Sequence, residues 1–199
     1  MTRDTALQNF IDVTRQALAA RLSPEKPAGQ VAAKIFAALE NPGAIADTPS
    51  LRQPVCDQLD AALENARKDA SDIAVLADTF QTIEPRLSWS PRPGAEKVSE
   101  AFASGHANAT IIGPDGIETR SDVRIGVSLM APQVQYVDHH HPPAEVYLVL
   151  SPGTWRQADR PWHEPGVGGT VFNTPNIVHA MKSGEAPLFA IWCLLVQDS

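Results

Sequence analysis

The stretch that decides the fold is Tyr136-Val137-Asp138-His139-His140-His141-Pro142-Pro143-Ala144-Glu145-Val146-Tyr147, which holds half of the six histidines in the chain. Alternate residues of an extended strand share a face, so His139 and His141 are expected to point the same way. After the Pro142-Pro143 turn, Glu145 and Tyr147 share a face of the next strand for the same reason. Imidazole nitrogens and carboxylate oxygens are common ligands of divalent transition metals, so this stretch predicts part of a metal site.

A further ligand is expected from the run Ile177-Val178-His179-Ala180-Met181, which has the composition of a short strand. The simpler alternative is a solvated surface histidine run beside an unrelated glutamate. The order His-x-His, three residues, Glu, and then a late strand His is much more restrictive than a histidine run alone. We therefore expect His141, Glu145 and His179 to hold a divalent metal, with His139 as a further ligand or as a support for the ligands.

Outside this stretch, the two halves of the chain differ in periodicity. Apolar residues recur at helical spacing in four N-terminal segments, near Leu7–Leu22, Val31–Leu39, Val55–Ala66 and Ile73–Phe80. Beyond the proline-rich segment around Pro85–Gly94, short β-branched and aromatic runs alternate with turn residues, which is typical of an antiparallel sandwich or barrel. The pattern predicts a helical bundle (residues 1–84), a linker (85–98) and a β-barrel domain (99–199). The helices are expected to pack on the barrel and to help close its site.

Composition limits the classes of function. The 199 residues are 43% hydrophobic with a formal net charge of −7, which argues against a nucleic-acid partner and is compatible with a small zwitterionic substrate. The two cysteines, Cys56 and Cys193, are expected to be reduced, buried thiols. The N-terminus lacks the apolar core of a signal peptide, and no later stretch is long enough to span a bilayer, so we expect a cytoplasmic protein, monomeric or homodimeric.

The order of ligands resembles the cupin superfamily, whose first motif supplies His-x-His and Glu and whose second motif supplies a final His. The resemblance implies a single cupin domain, an antiparallel β-barrel or jelly roll, mainly β with the helical part in front. The chain departs from the pattern in spacing, since the closing glycine, Gly153, comes one residue late and the second motif is one residue short between Pro175 and His179 and lacks its internal glycine. It also departs at two residue positions. Gln133 stands where the first motif opens with glycine, and Ser183 stands where the second usually ends with asparagine.

A second tyrosine, Tyr136, and the spacing Glu145-x-Tyr147 make the chain similar to the bacterial cupin-type dimethylsulfoniopropionate (DMSP) lyases. The helical N-terminal half is similar to the Q-type members of that group. This resemblance implies a divalent metal, with Zn, Fe, Mn and Co all compatible, and cleavage of DMSP to dimethyl sulfide and acrylate. It also implies catalytic roles for Tyr147, on or beside the metal, and for Tyr136, which would contact the substrate.

The chemistry of such a substrate is compatible with these residues. Dimethyl sulfide is a neutral leaving group, so the difficult step is removal of the proton α to the carboxylate. A bound cation favours the ionised form of a phenol, and Tyr147 is therefore the expected base, with Tyr136 or His139 helping to bind the substrate. The aromatic face expected for the sulfonium is Trp192, because ring quadrupoles attract cations.

Other functions use the same ligands. An iron-dependent cupin dioxygenase needs the same His/Glu set with an open position for oxygen. A cupin that binds a metal or a small ligand without turnover is a different class, and a sugar isomerase shares the barrel. The tyrosine pair favours elimination, because a passive binder has no use for a phenolate.

Overall fold

The computed structural model describes residues 3–68 and 71–196. The helices are α1 (Thr5–Ala19), α2 (Pro27–Ala38), α3 (Leu59–Arg67), α4 (Ser71–Ile83) and α5 (Glu100–Gly105), with 3₁₀ turns at Pro54–Gln58, Glu84–Arg86 and Ala95–Lys97. The strands are β1 (Ala44–Ile45), β2 (Trp89–Ser90), β3 (His106–Ile112), β4 (Glu118–Thr119), β5 (Val123–Met130), β6 (Gln135–His139), β7 (Ala144–Val149), β8 (Thr154–Gln157), β9 (Thr170–Asn173), β10 (His179–Lys182) and β11 (Leu188–Leu195). The predicted fold class, mainly β with N-terminal helices, is confirmed.

The first two helices begin where local chemistry favours a helix start. The Asp4 side chain accepts a hydrogen bond from the Leu7 backbone N–H at 3.0 Å and caps α1. Pro27 is the first residue of α2. A proline is tolerated there because the first-turn N–H groups have no partner within the helix.

Two sheets carry the β half. The larger has the strand order β1-β4-β3-β5-β11-β7-β9, with β2 added alongside β3, and the smaller has the order β6-β10-β8. All pairs are antiparallel except β3 with β4. The sheets face each other as a jelly-roll sandwich and do not close into a barrel, which corrects the barrel geometry expected from the sequence.

The larger sheet is buried on both faces, and its two faces have different neighbours. One face packs on the helices in a shared core, in which the Phe80 and Phe189 rings lie 5.0 Å apart. The other face packs on the smaller sheet, for example through Tyr147 and Trp155, whose rings lie 6.3 Å apart. Both faces are apolar, so β5, β7 and β11 are nearly continuous hydrophobic runs.

The helical region is joined to the sheet as well as packed on it. Strand β1, inside the predicted helical region, pairs with β4, and β2, inside the predicted linker, pairs with β3. Residues from all three predicted segments, 1–84, 85–98 and 99–199, belong to one core. The division of the chain into these segments stays a proposal.

Two further sequence expectations concern cysteines and membrane spans. Cys56 and Cys193 are both free and buried, as expected. Burial raises the pKa of the Cys193 thiol, which disfavours it as a nucleophile. No helix in the described part of the chain combines the length and hydropathy needed to cross a membrane.

Candidate active site

The three predicted histidines converge in space. His139 ends β6, His141 lies in the loop that follows, and His179 begins β10. His139 and His179 are register partners on neighbouring strands, and their rings lie 4.0 Å apart. One ring nitrogen from each of the three histidines lies within 4.8 Å of the others, so the group has the geometry of a metal-binding cluster.

The backbone orients each of these rings in the same way. The Nδ1 atoms of His139, His141 and His179 lie 3.1, 3.0 and 2.9 Å from the carbonyl oxygens of Val137, Pro143 and Ile177, each two residues away. A carbonyl oxygen can only accept, so each Nδ1 carries the proton and each Nε2 offers a lone pair. Carbonyl partners that fix the ring tautomer in this way are typical of metal-binding histidines.

Glu145 joins the cluster from β7. Its buried Oε2 atom lies 3.3 Å from His141 Nε2 and 3.4 Å from His179 Nε2. Atoms bound at about 2.1 Å around a tetrahedral ion lie roughly 3.4 Å from one another. Within the described residues His179 Nε2 is buried without a hydrogen-bond partner, which is consistent with a metal ligand. The four side chains therefore fit a divalent metal.

Two of the three rings, His139 and His179, favour the neutral imidazole form, whereas His141 beside the Glu145 carboxylate favours the protonated form when no metal is bound. Burial lowers the pKa of His139 to about 3, with the neighbouring His179 adding to the effect, and burial also lowers the pKa of His179. Burial would lower the pKa of His141 too, but its hydrogen bond to the Glu145 carboxylate and the charge of that group leave it raised. Neutral imidazole is the form that binds a metal.

Two amides from neighbouring strands hold Glu145 in place. Asn173 Nδ2 donates to Glu145 Oε2 at 2.8 Å, and Gln157 Nε2 donates to Asn173 Oδ1 at 2.6 Å. Asn173 and Glu145 are register partners on β9 and β7. Sequence analysis missed both Gln157 and Asn173. The position of Asn173 before Thr174-Pro175 gave no sign that it faces the ligand glutamate.

The cluster opens into a cavity of about 380 Å³ on the sandwich side of the larger sheet. The predicted residues Tyr136, Tyr147 and Trp192 line it together with His139, His141 and Glu145 of the metal cluster. Asn108, Arg124 and Ser128 also line it, and sequence analysis named none of them. All lining residues lie between Asn108 and Val196. Helices α1–α4 pack on the opposite face of the larger sheet, as predicted, and contribute none of these lining residues, so their part in closing the site stays a prediction.

Both tyrosines are almost fully buried against this cavity. Burial raises the pKa of Tyr147 well above its usual value, and the negative charge of Glu145 adds to the effect. Burial also raises the pKa of Tyr136, against the lowering effects of the Arg92 charge and of hydrogen bonding from Asn108. The Tyr136 ring lies 4.4 Å from the His139 ring, between the metal cluster and Arg92.

Trp192 forms part of the same wall and depends on a glycine. It lies directly across from Gly126 on β5 and from Tyr147 on β7. A Cβ atom at residue 126 would come within 2.2 Å of the indole ring and 2.4 Å of the Ala109 carbonyl oxygen. Glycine at this position therefore lets the indole lie flat over β5.

The two residue departures from the cupin motifs also have visible consequences. Gln133 adopts a φ of 61°, in the left-handed region that favours glycine. The Ser183 hydroxyl donates to the Ala131 carbonyl at 2.6 Å and accepts from the Val134 N–H at 2.9 Å. Ser183 thus supports the turn in which Gln133 replaces the usual glycine.

Comparisons with known proteins agree with this geometry. A family model described as dimethylsulfoniopropionate lyase matches residues 28–190. The crystal structure of the DMSP lyase DddQ from Ruegeria pomeroyi DSS-3 superposes with a TM-score of 0.76 at 21% identity, over 98% of this chain and 93% of that one. A structure from a study of the DMSP lyases RdDddP and RnDddQII gives a TM-score of 0.74 at 22% identity, over 96% of this chain and 92% of that one.

At these identities the superpositions show a shared fold, and the family model carries the family assignment. No curated relative matches the chain by sequence. The matched segment covers α2 to β11 and includes every predicted site residue except Trp192. The chain belongs to the dimethylsulfoniopropionate lyase family and is a carbon–sulfur lyase with a cupin fold.

Proposed function

We propose that this chain cleaves DMSP to dimethyl sulfide and acrylate by a metal-dependent β-elimination. The observation that carries the proposal is the cavity lined by both tyrosines and by His139, His141 and Glu145, with His179 completing the ligand cluster beside it. A divalent ion held by these four residues would supply a Lewis acid for the substrate carboxylate and positive charge that favours a phenolate. Zn, Fe, Mn and Co all suit His and carboxylate ligands.

Tyr147 is the proposed base. It is on the same face of β7 as Glu145, and its phenol reaches the cavity that the cluster faces. As phenolate, Tyr147 takes the proton from the α-carbon of the substrate. The electrons of that C–H bond form the C=C bond of acrylate, and the C–S electrons leave with neutral dimethyl sulfide. Tyr147 then returns the proton to water, so atoms and charge balance.

Tyr136 and Trp192 are the proposed substrate contacts. Tyr136 can donate its phenolic hydrogen bond to the substrate carboxylate, since it lies on the cavity wall next to His139. Trp192 offers an indole face to the sulfonium, a cation with no hydrogen to donate. A role for His139 in substrate binding, in place of ligation, is also compatible with its contact to Tyr136.

The test is to incubate the purified protein with DMSP, with and without a chelator, and to measure headspace dimethyl sulfide. The proposal requires chelator-sensitive release of dimethyl sulfide in equal amount to acrylate. Consumption of oxygen without dimethyl sulfide would instead favour the iron-dependent dioxygenase. Binding of metal without turnover of either kind would favour a cupin that only binds its ligand.

A further inference from the structure

A polar group apart from the metal cluster also faces the cavity. Asn108 on β3 and Ser128 on β5 are directly paired across the larger sheet, and both line the cavity. Neither contributes to the His/Glu cluster. Ser128 is two residues after Gly126 on β5, and the Trp192 indole lies against Gly126.

The neighbours of Asn108 fix the orientation of its amide. Ser128 Oγ lies 2.6 Å from Asn108 Oδ1, and His106 Nε2 lies 3.2 Å from the same oxygen. Within the described residues the other ring nitrogen of the buried His106, Nδ1, has no partner. If the Asn108 amide were turned over, its NH2 group would face His106 Nε2, which would then have to accept. The ring proton of His106 would move to Nδ1 and leave a buried N–H without an acceptor. A buried unpaired N–H is rarer than a buried unpaired lone pair, so the observed orientation is favoured.

This orientation leaves the amide nitrogen of Asn108 as the group presented to the cavity. The amide of Asn108 also hydrogen-bonds the Tyr136 phenol, which uses only one of its two N–H groups, and the half-buried residue lines the cavity. Burial lowers the pKa of His106 to about 4, so the ring is neutral and adds no charge here. Asn108 therefore offers an N–H donor, already oriented by Ser128 and His106, beside Tyr136.

We propose that Asn108 binds one carboxylate oxygen of the substrate through its amide N–H, with Ser128 and His106 as positioning residues. This inference rests on the proposed function for the identity of the substrate. A neutral N–H donor discriminates between the two ends of a zwitterion, because it stabilises an anionic oxygen and gives nothing to a sulfonium. Asn108 thus sets the direction in which the substrate enters, with the sulfonium directed toward Trp192.

The test measures the two ends of the substrate separately by calorimetry on the metal-loaded protein. Propionate carries only the carboxylate, and trimethylsulfonium carries only the cation. Asn108→Ala should weaken propionate binding about 10-fold, the size expected for one hydrogen bond to a charged group. Asn108→Asp keeps an acceptor for Ser128 and His106 but repels an anion, so it should weaken propionate binding further. Trimethylsulfonium should bind the wild type and Asn108→Ala equally well.

Two controls separate this assignment from a general structural effect. Thr110→Val removes a hydroxyl two residues along β3, outside the cavity lining, and should leave both affinities unchanged. Ser128→Ala frees the Asn108 amide to rotate, so it should weaken propionate binding by less than Asn108→Ala does. Circular dichroism checks the fold of each variant.

Three results would overturn the inference: unchanged propionate affinity in both Asn108 variants, an equal loss for the two probes, or no propionate binding by the wild type. Neither probe is turned over. A protein that binds both probes as expected but releases no dimethyl sulfide from DMSP would contradict the proposed function and leave Asn108 as a carboxylate-binding residue. Normal DMSP turnover with unchanged propionate binding in the variants would support the proposed function and contradict the role of Asn108.

Discussion

His179 Nε2 and Glu145 Oε2 lie 3.4 Å apart, and neither atom has a proton to give the other. The ring proton of His179 is on Nδ1, which donates to the Ile177 carbonyl. Two facing acceptors in a buried place repel each other unless a cation lies between them. This contact is the strongest structural argument for a metal. The two residues are 34 positions apart in the sequence, so only the fold brings these two acceptors together.

The first prediction concerns the ligands. His141→Ala, Glu145→Ala and His179→Ala should each lose bound metal and lyase activity together, because each removes one ligand atom from the cluster. Elemental analysis of the purified variants measures the metal. His140→Ala is the matched control, since His140 is in the same run but exposed. Full metal occupancy in the His179 variant would remove that residue from the site.

The second prediction concerns Asn173, which was found only in the structure. Asn173→Ala leaves all four ligands in place but removes the hydrogen bond to Glu145 Oε2. Metal affinity should fall by about 10- to 100-fold, the usual effect of losing a partner of a ligand. Competition with a chromogenic chelator measures this affinity. An affinity equal to that of the wild type would show that Glu145 needs no support from β9.

The third prediction separates the two tyrosines. Tyr147→Phe should lower kcat by more than about 100-fold while most of the metal stays bound, because the variant loses the proposed base but keeps all four His/Glu ligands. The kcat of Tyr136→Phe should lie between the kcat of this variant and that of the wild type if Tyr136 only orients the substrate. Turnover of DMSP and metal content are measured on both. Near-normal turnover by a metal-loaded Tyr147→Phe would make Tyr136 or metal-bound hydroxide the leading candidate for the base.

The fourth prediction concerns the wall of the cavity. Gly126→Ala places a methyl group against both the Trp192 indole and the Ala109 carbonyl. The backbone oxygen cannot move as a side-chain end can, so the variant should lose about 1–3 kcal/mol of unfolding free energy. A shift in tryptophan fluorescence should accompany the displaced indole. Unchanged stability and spectrum would mean that β3 and β5 separate easily at this point.

The fifth prediction concerns the buried pair that ties the N-terminus to β4. Arg3 Nε donates to Glu118 Oε2 at 2.5 Å and Arg3 Nη2 to Oε1 at 2.9 Å, with both side chains almost fully buried. Glu118→Gln leaves a buried guanidinium without its counter-ion and should cost about 3 kcal/mol at pH 7. Asp78→Asn, in an exposed pair with Arg67, is the control and should cost less than about 1 kcal/mol.

The effect of Glu118 also has a defined pH dependence. Burial alone would raise the pKa of Glu118, but hydrogen bonds from Arg3 and from the Gly43 N–H lower it below the ordinary value of 4.5. A carboxyl group whose pKa is lowered in the folded state stabilises the protein at pH values above the pKa of the unfolded state. That stabilisation is lost as the pH falls through the pKa of the folded state. Urea unfolding should therefore show a difference between wild type and Glu118→Gln that is constant near neutrality and shrinks below about pH 4.5.

The sequence by itself determined what depends on local spacing. The helical period of the stripe through Leu7, Phe10 and Leu18 predicts the buried face of α1, and those side chains are buried. His141 lies in the loop after β6, outside the reach of this rule, but strand alternation correctly predicts that Glu145 and Tyr147 share a face of β7, where both line the cavity. These inferences hold because a side chain's direction within one element follows from the backbone period alone.

Only the tertiary structure decided which residues from distant strands meet. Asn173 meets Glu145, and Asn108 meets Ser128, because their strands pair in a particular register. Within the strands named here no local pattern encodes that register. Gln157 reaches Asn173 from the other sheet. The side of the sheet covered by the helices was also undetermined, because β5, β7 and β11 are buried on both faces along nearly their whole length. The polar residues of the cavity face, such as Ser128 and Glu145, are themselves buried, so no alternation of exposed and buried positions showed which face meets the helices.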